Sequence, residues 1–141
     1  MMKWLKRFGI ALALALFAAQ FVPVARSNPV QRNFPEASAE VQALLRRSCN
    51  DCHSNETVWP WYARVAPASL LIARDVKDGR KKLNLSIWDS YDEVRKVRKK
   101  KEIAKEVGRG AMPPWYFVPV HPEAKLSAEE RALLVKWAKQ S

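Results

Sequence analysis

The chain is expected to be all-α: one helical domain preceded by a hydrophobic N-terminal helix. Three observations carry this. Apolar residues recur at i, i+3 and i+4 in several segments, S-x-x-E capping patterns stand before two of them, and strand-like alternation is nearly absent. At 141 residues there is room for one modest domain with a real core, and too little for two ordinary ones. Six tryptophans are many for this length, and nine prolines against four glycines favour ordered corners over flexible linkers.

Residues 1–25 differ from the rest. Lys3, Lys6 and Arg7 precede an uncharged run over residues 8–24 in which Gln20 is the strongly polar member. A basic start followed by an apolar stretch is an export signal. Its cleavage site is poorly formed, with Ala25-Arg26-Ser27 the best candidate, so a cleaved signal peptide and an uncleaved membrane anchor both stand, the anchor being preferred. Seventeen helical residues would reach roughly 25 Å, the low end of what crosses a bilayer. The positive-inside rule then places residues 26–141 on the periplasmic side of a bacterial inner membrane. Asn28-Pro29 and Phe34-Pro35 frame a short extended connector to the domain.

Helical periodicity follows. Residues 36–52 carry Val41, Leu44 and Leu45 on one face, with acids early and Arg46 and Arg47 late, matching the helix dipole. A second helix is expected over residues 67–78, through Leu70, Leu71, Ala73 and Arg74, with Gly79 placed to end it. Ser90-Tyr91-Asp92-Glu93 fits a capping box that opens a helix towards Val107, before Gly108-Arg109-Gly110 breaks it. Ser127-Ala128-Glu129-Glu130 is another such box, and Leu133, Leu134 and Trp137 form the apolar face of the last helix. Only residues 115–120 alternate like a strand, and prolines bracket or interrupt them.

The formal net charge is +11, and still +8 when Lys3, Lys6 and Arg7 are set aside. Much of the excess lies in RKVRKKK, residues 95–101. In a cytoplasmic protein this would read as a nucleic-acid patch. Export argues against nucleic acid and leaves a solvated helix face, or one turned to anionic head groups or an acidic protein partner.

Both cysteines lie in SCNDCHS, residues 48–54. A disulfide closing so short a loop contributes little stability, and a thioredoxin-like pair needs a strand before it. Zinc needs four ligands, and beyond this cluster the chain offers no cysteine and only His121. C-x-x-C-H in an exported chain matches c-type haem attachment. On one helical turn, Cys49 and Cys52 can form thioethers to the two vinyl groups while His53 turns its imidazole to iron.

Iron then needs a second axial ligand. Outside the leader, Met112 is the lone methionine, and His121 is the one histidine besides His53. Met112 sits in GAMPP, residues 110–114, where glycine permits close backbone approach and two prolines stiffen the loop. Met112 is therefore preferred, with His121 or an open site as alternatives. His53 and Met112 together would saturate the iron and raise its potential relative to bis-imidazole ligation, which suits electron transfer rather than enzymatic chemistry. Trp59-Pro60-Trp61-Tyr62, Trp115 and Tyr116 are expected to wall the macrocycle, and the carbonyl that orients His53 is expected between residues 58 and 67.

These blocks carry a resemblance. The order of CNDCHSNET (residues 49–57), WPWY (59–62), GRGAMP (108–113) and HPEAKLS (121–127) resembles the small bacterial haem-binding domain proteins related to cytochrome c, over nearly the whole chain. The resemblance implies one covalent haem c through Cys49 and Cys52, with His53 as proximal ligand. It supports Met112 by likeness to the G-x-M-P loop of class I cytochromes c. The expected function is that of a monomeric, exported monohaem c-type cytochrome, a non-enzyme that passes single electrons to a redox protein partner. The alternatives are a haem-based sensor in which Met112 yields to a small ligand, and a redox-inert interaction domain stabilised by haem.

Overall fold

Ser38 is where regular structure begins in the domain, because its side chain accepts from the Val41 N–H and ends the extended approach from Pro35. The computed structural model describes residues 1–31 and 33–140. Its six helices are α1 (Met2–Ala19), α2 (Ala39–Ser48), α3 (Asn50–His53), α4 (Ala68–Lys82), α5 (Glu93–Gly108) and α6 (Ala128–Lys139). Short 3-10 turns lie at Trp61–Arg64, Leu85–Ser90 and Pro122–Ala124, and no strand occurs among the described residues. The all-α expectation holds. Residues 115–120 form successive turns, with Phe117 N–H donating to the Pro114 carbonyl at 3.0 Å.

The core is where α2, α5 and α6 meet the turn Leu85–Ser90. Leu45, Leu85 and Leu134 are fully buried there, with Trp88, Ile103 and Val107 beside them. The box at Ser127 forms as the sequence indicates: Ser127 Oγ accepts from the Glu130 N–H at 3.1 Å, and Glu130 Oε2 accepts from the Ser127 N–H at 2.8 Å. Leu134 and Trp137 are thereby turned to the core.

Three boundaries differ from expectation. The helix foreseen over residues 36–52 breaks at Cys49 (φ −126°, ψ −29°) and resumes as α3. The turn still closes, because His53 N–H donates to the Cys49 carbonyl at 2.9 Å. The cap of α5 is Asp92, whose carboxylate accepts from the Arg95 N–H at 2.7 Å. Ser90 lies in the preceding turn, where its hydroxyl donates to the Ile87 carbonyl, and α5 begins only at Glu93. Gly79 does not end α4, which runs to Lys82.

α1 buries no residue. Among the described residues no helix is long and apolar enough to cross a membrane. Three basic residues occupy the start of α1, and the apolar run leaves the helix at Gln20. Of the uncharged run over residues 8–24, residues 20–24 lie beyond the helix. The chain beyond is docked through polar groups: Gln20 and Ala66 exchange two hydrogen bonds, of 3.0 and 3.1 Å, and Arg26 donates to the Ala63 carbonyl at 3.2 Å.

The basic run of α5 is not uniformly solvated. Lys99 is only 9% exposed, Arg95 lies over the Tyr91 ring and Lys100 over the Trp137 ring.

Candidate functional site

α3 and the end of α4 pack against each other so closely that a Cβ on Gly79 would lie 3.0 Å from the Cys52 carbonyl carbon. That approach brings the last carbonyls of α4 within reach of His53. Its Nδ1 lies 3.0 Å from the Gly79 oxygen and 3.2 Å from the Leu83 oxygen. Both partners are acceptors, so Nδ1 carries the proton and Nε2 keeps its lone pair. The orienting carbonyls thus belong to α4 and its cap, not to residues 58–67. Burial lowers the His53 pKa, with the two carbonyl bonds opposing it, and holds the ring neutral.

Both cysteines are free thiols. Burial, then the proximity of Cys52, pushes the Cys49 pKa up to about 12. Burial, then Asp51 and Asp75, pushes Cys52 up to about 11, against an opposing pull from Arg80. Burial thus keeps both sulfurs as neutral thiols, which disfavours a thiolate metal site. Among the described residues no cluster of three His, Cys, Asp or Glu could hold a metal ion.

Two cavities, of about 440 and 230 Å³, share Cys49, His53, Lys82 and Met112 in their walls. The larger adds apolar surface from Leu45, Leu83, Ile103 and Val107. The smaller adds Cys52, Pro113, Pro114, Tyr116 and Phe117. Met112 is carried there by Gly110, whose φ of +76° turns the chain as it leaves α5. Arg131 steadies the same corner by donating to the Val107 carbonyl at 2.6 Å.

His121 lies beyond Tyr116 and Phe117, on a cavity that shares those two residues and Cys52 with the smaller one. It lines a third cavity, and neither of the two that Met112 lines. Its Nε2 lies 2.7 Å from the Tyr62 hydroxyl, its Nδ1 lies 3.2 Å from Glu123, and its ring stacks on Phe117. The aromatic wall also departs from expectation: Trp61 and Trp115 are 77% and 84% exposed, and Trp59 lines neither cavity. Tyr116 and Phe117 supply the aromatic surface, and Phe117 had no motif to mark it.

Arg80, next to Gly79, ties this site to the connector. It donates to the Ser54 carbonyl at 2.6 Å, the Ser27 carbonyl at 2.7 Å, and Asn28 Oδ1 and Thr57 Oγ1 at 2.9 Å each.

A family model described as a haem-binding domain matches residues 14–140. The chain belongs to the haem-binding domain family. No curated protein and no solved structure matches it. The residues of this haem-binding domain fit the group its family implies. The smaller cavity offers an imidazole with a free nitrogen, a thioether and two thiols, and the larger adds aliphatic side chains beside three of these groups. Of the residues singled out by sequence, this haem-binding domain brings Cys49, Cys52, His53 and Met112 together and leaves His121 apart.

Proposed function

We propose that this haem-binding domain is an exported monohaem c-type cytochrome that passes single electrons between protein partners. The observation that carries the reading is His53. Its Nδ1 is committed to Gly79 and Leu83, so Nε2 is the nitrogen left for iron, in cavities whose walls also hold both cysteines and Met112.

When bound, haem supplies a one-electron couple at its iron. Cys49 and Cys52 would hold it through thioethers to the vinyl groups, with His53 as proximal and Met112 as distal ligand. Carbonyl bonds to Nδ1 raise the basicity of Nε2 and fix the ring. Leu45, Leu83, Ile103 and Val107 exclude water from the iron's surroundings, which together with a thioether ligand favours a higher potential. A haem held by both His53 and Met112 would leave no site on iron for a substrate, which supports electron transfer rather than enzymatic turnover. The basic start and apolar run of residues 1–25 support export to the periplasmic side of a bacterial inner membrane. Net positive charge favours an acidic redox partner and makes that association weaken with salt.

The deciding experiment is the visible spectrum of the exported protein with a pyridine haemochrome assay, expected to give a low-spin spectrum and two thioethers per haem. A haemochrome with intact vinyl groups would defeat covalent attachment. Met112→Ala is expected to turn the low-spin spectrum high-spin, and an unchanged spectrum would remove Met112 from iron. Ready carbon monoxide binding by the ferrous parent protein at neutral pH would favour a sensor with a displaceable distal ligand.

A further inference from the structure

This inference rests on the haem reading above and concerns the acidic edge of the cofactor. Haem carries its two vinyl groups on one pair of adjacent pyrrole rings and its two propionates on the other pair. The edge turned away from the cysteines is therefore the one that bears carboxylates.

Cys52 lines the smaller cavity and not the larger. The larger cavity continues from Cys49 and His53 to α5, where Lys99, Glu102, Glu106 and Arg109 line it, and Lys82 at the end of α4 lines both cavities where they adjoin. Lys99 comes from a basic run yet is only 9% exposed. A cation turned inward is costly unless it is paired and its remaining donors are hydrogen-bonded. Among the described residues its one ion-pair partner is Glu102, at 2.7 Å, whose own side chain is 49% exposed. Arg109 is paired with Glu106. No carboxylate pairs with Lys82 among the described residues.

We propose that Lys99 and Lys82 receive the haem propionates through charge-assisted hydrogen bonds. The ammonium of Lys99 has three donors, and Glu102 occupies one. Part of the basic run thereby acquires a role inside the site rather than on its surface.

The test uses the full holoprotein. Lys99→Gln and Lys82→Gln are compared with Lys101→Gln, an exposed lysine of the same helix. The propionate bending band in the resonance Raman spectrum is expected to shift in the first two and stay at the parent position in the third. The midpoint potential is expected to fall further in Lys99→Gln than in Lys101→Gln, and Lys99→Arg is expected to retain the parent band. Bands in Lys99→Gln and Lys82→Gln that coincide with that of Lys101→Gln overturn the assignment. If Lys99→Gln does not accumulate, the exposed Lys82→Gln carries the comparison by the same criterion. A parent protein without covalent haem defeats the underlying reading, so the two failures are distinct.

Discussion

Gly79→Ala is expected to destabilise the holoprotein by about 2–3 kcal/mol, the ordinary cost of overpacking a tight contact. The sign is what makes this informative. In an exposed helix interior the same change would stabilise by about 1 kcal/mol, since alanine is the better helix former. Here the new methyl would stand 3.0 Å from the Cys52 carbonyl carbon and 3.2 Å from its Cβ. The obstruction is mainly backbone, which cannot rotate aside as a side chain can. α4 must therefore retreat from α3, and the Gly79 and Leu83 carbonyls retreat with it from His53 Nδ1. Denaturant unfolding should show a lower midpoint, and haem content per purified chain should fall. A variant as stable as the parent, with full haem content, would mean that α3 and α4 do not approach in this way.

Arg80→Gln is expected to cost about 2–3 kcal/mol, a range set by charged hydrogen bonds to partly buried partners. The guanidinium joins three segments distant in sequence: the connector at Ser27 and Asn28, the loop after the haem motif at Ser54 and Thr57, and α4 itself. Glutamine has two donors on a shorter stem and cannot span them. Lysine keeps the charge but lacks the planar fork, so Arg80→Lys should fall between the parent and Arg80→Gln. The local signature distinguishes this from a general loss of charge. Amide hydrogen exchange should accelerate in residues 54–58 while α6 stays protected. Arg74→Gln serves as control, because Arg74 is 77% exposed and its 3.7 Å pair with Asp78 is a surface one. Equal exchange in the Arg80 and Arg74 variants would remove Arg80 from the support of the site.

These two residues also mark where local reading of the chain stops. Gly79 follows an apolar-periodic segment, so by local rules it terminates a helix. Its glycine serves instead the neighbour it must admit, Cys52, which is 27 positions earlier and invisible to a window of ten or fifteen residues. Ser90 and Asp92 are both good caps two positions apart. The choice fell to Asp92 because Ser90 is still part of the turn Leu85–Ser90 and the chain turns helical only at Glu93. Lys99 looked like its basic neighbours in sequence. Its inward placement follows from the rotation of α5 that buries Ile103 and Val107. The tryptophans misled in the opposite direction: Trp61 and Trp115 are hydrophobic enough for a cofactor wall, yet they lie in solvent.

Local chemistry along the chain was sufficient for the helical class, the cap of α6 and the single turn that groups Cys49, Cys52 and His53, because each depends on spacing within one or two turns. Scarcity also worked from sequence alone, since outside the leader only Met112 and His121 were available to compete with each other. Which of the two shares a cavity with His53 is a matter of packing. His121 is held in a separate cluster by Tyr62, Phe117 and Glu123, while Gly110 turns Met112 towards the cysteines. The tautomer of His53 was likewise beyond sequence. It is set by carbonyls 26 and 30 positions away, and only the close packing of α3 on Gly79 brings them within hydrogen-bonding distance.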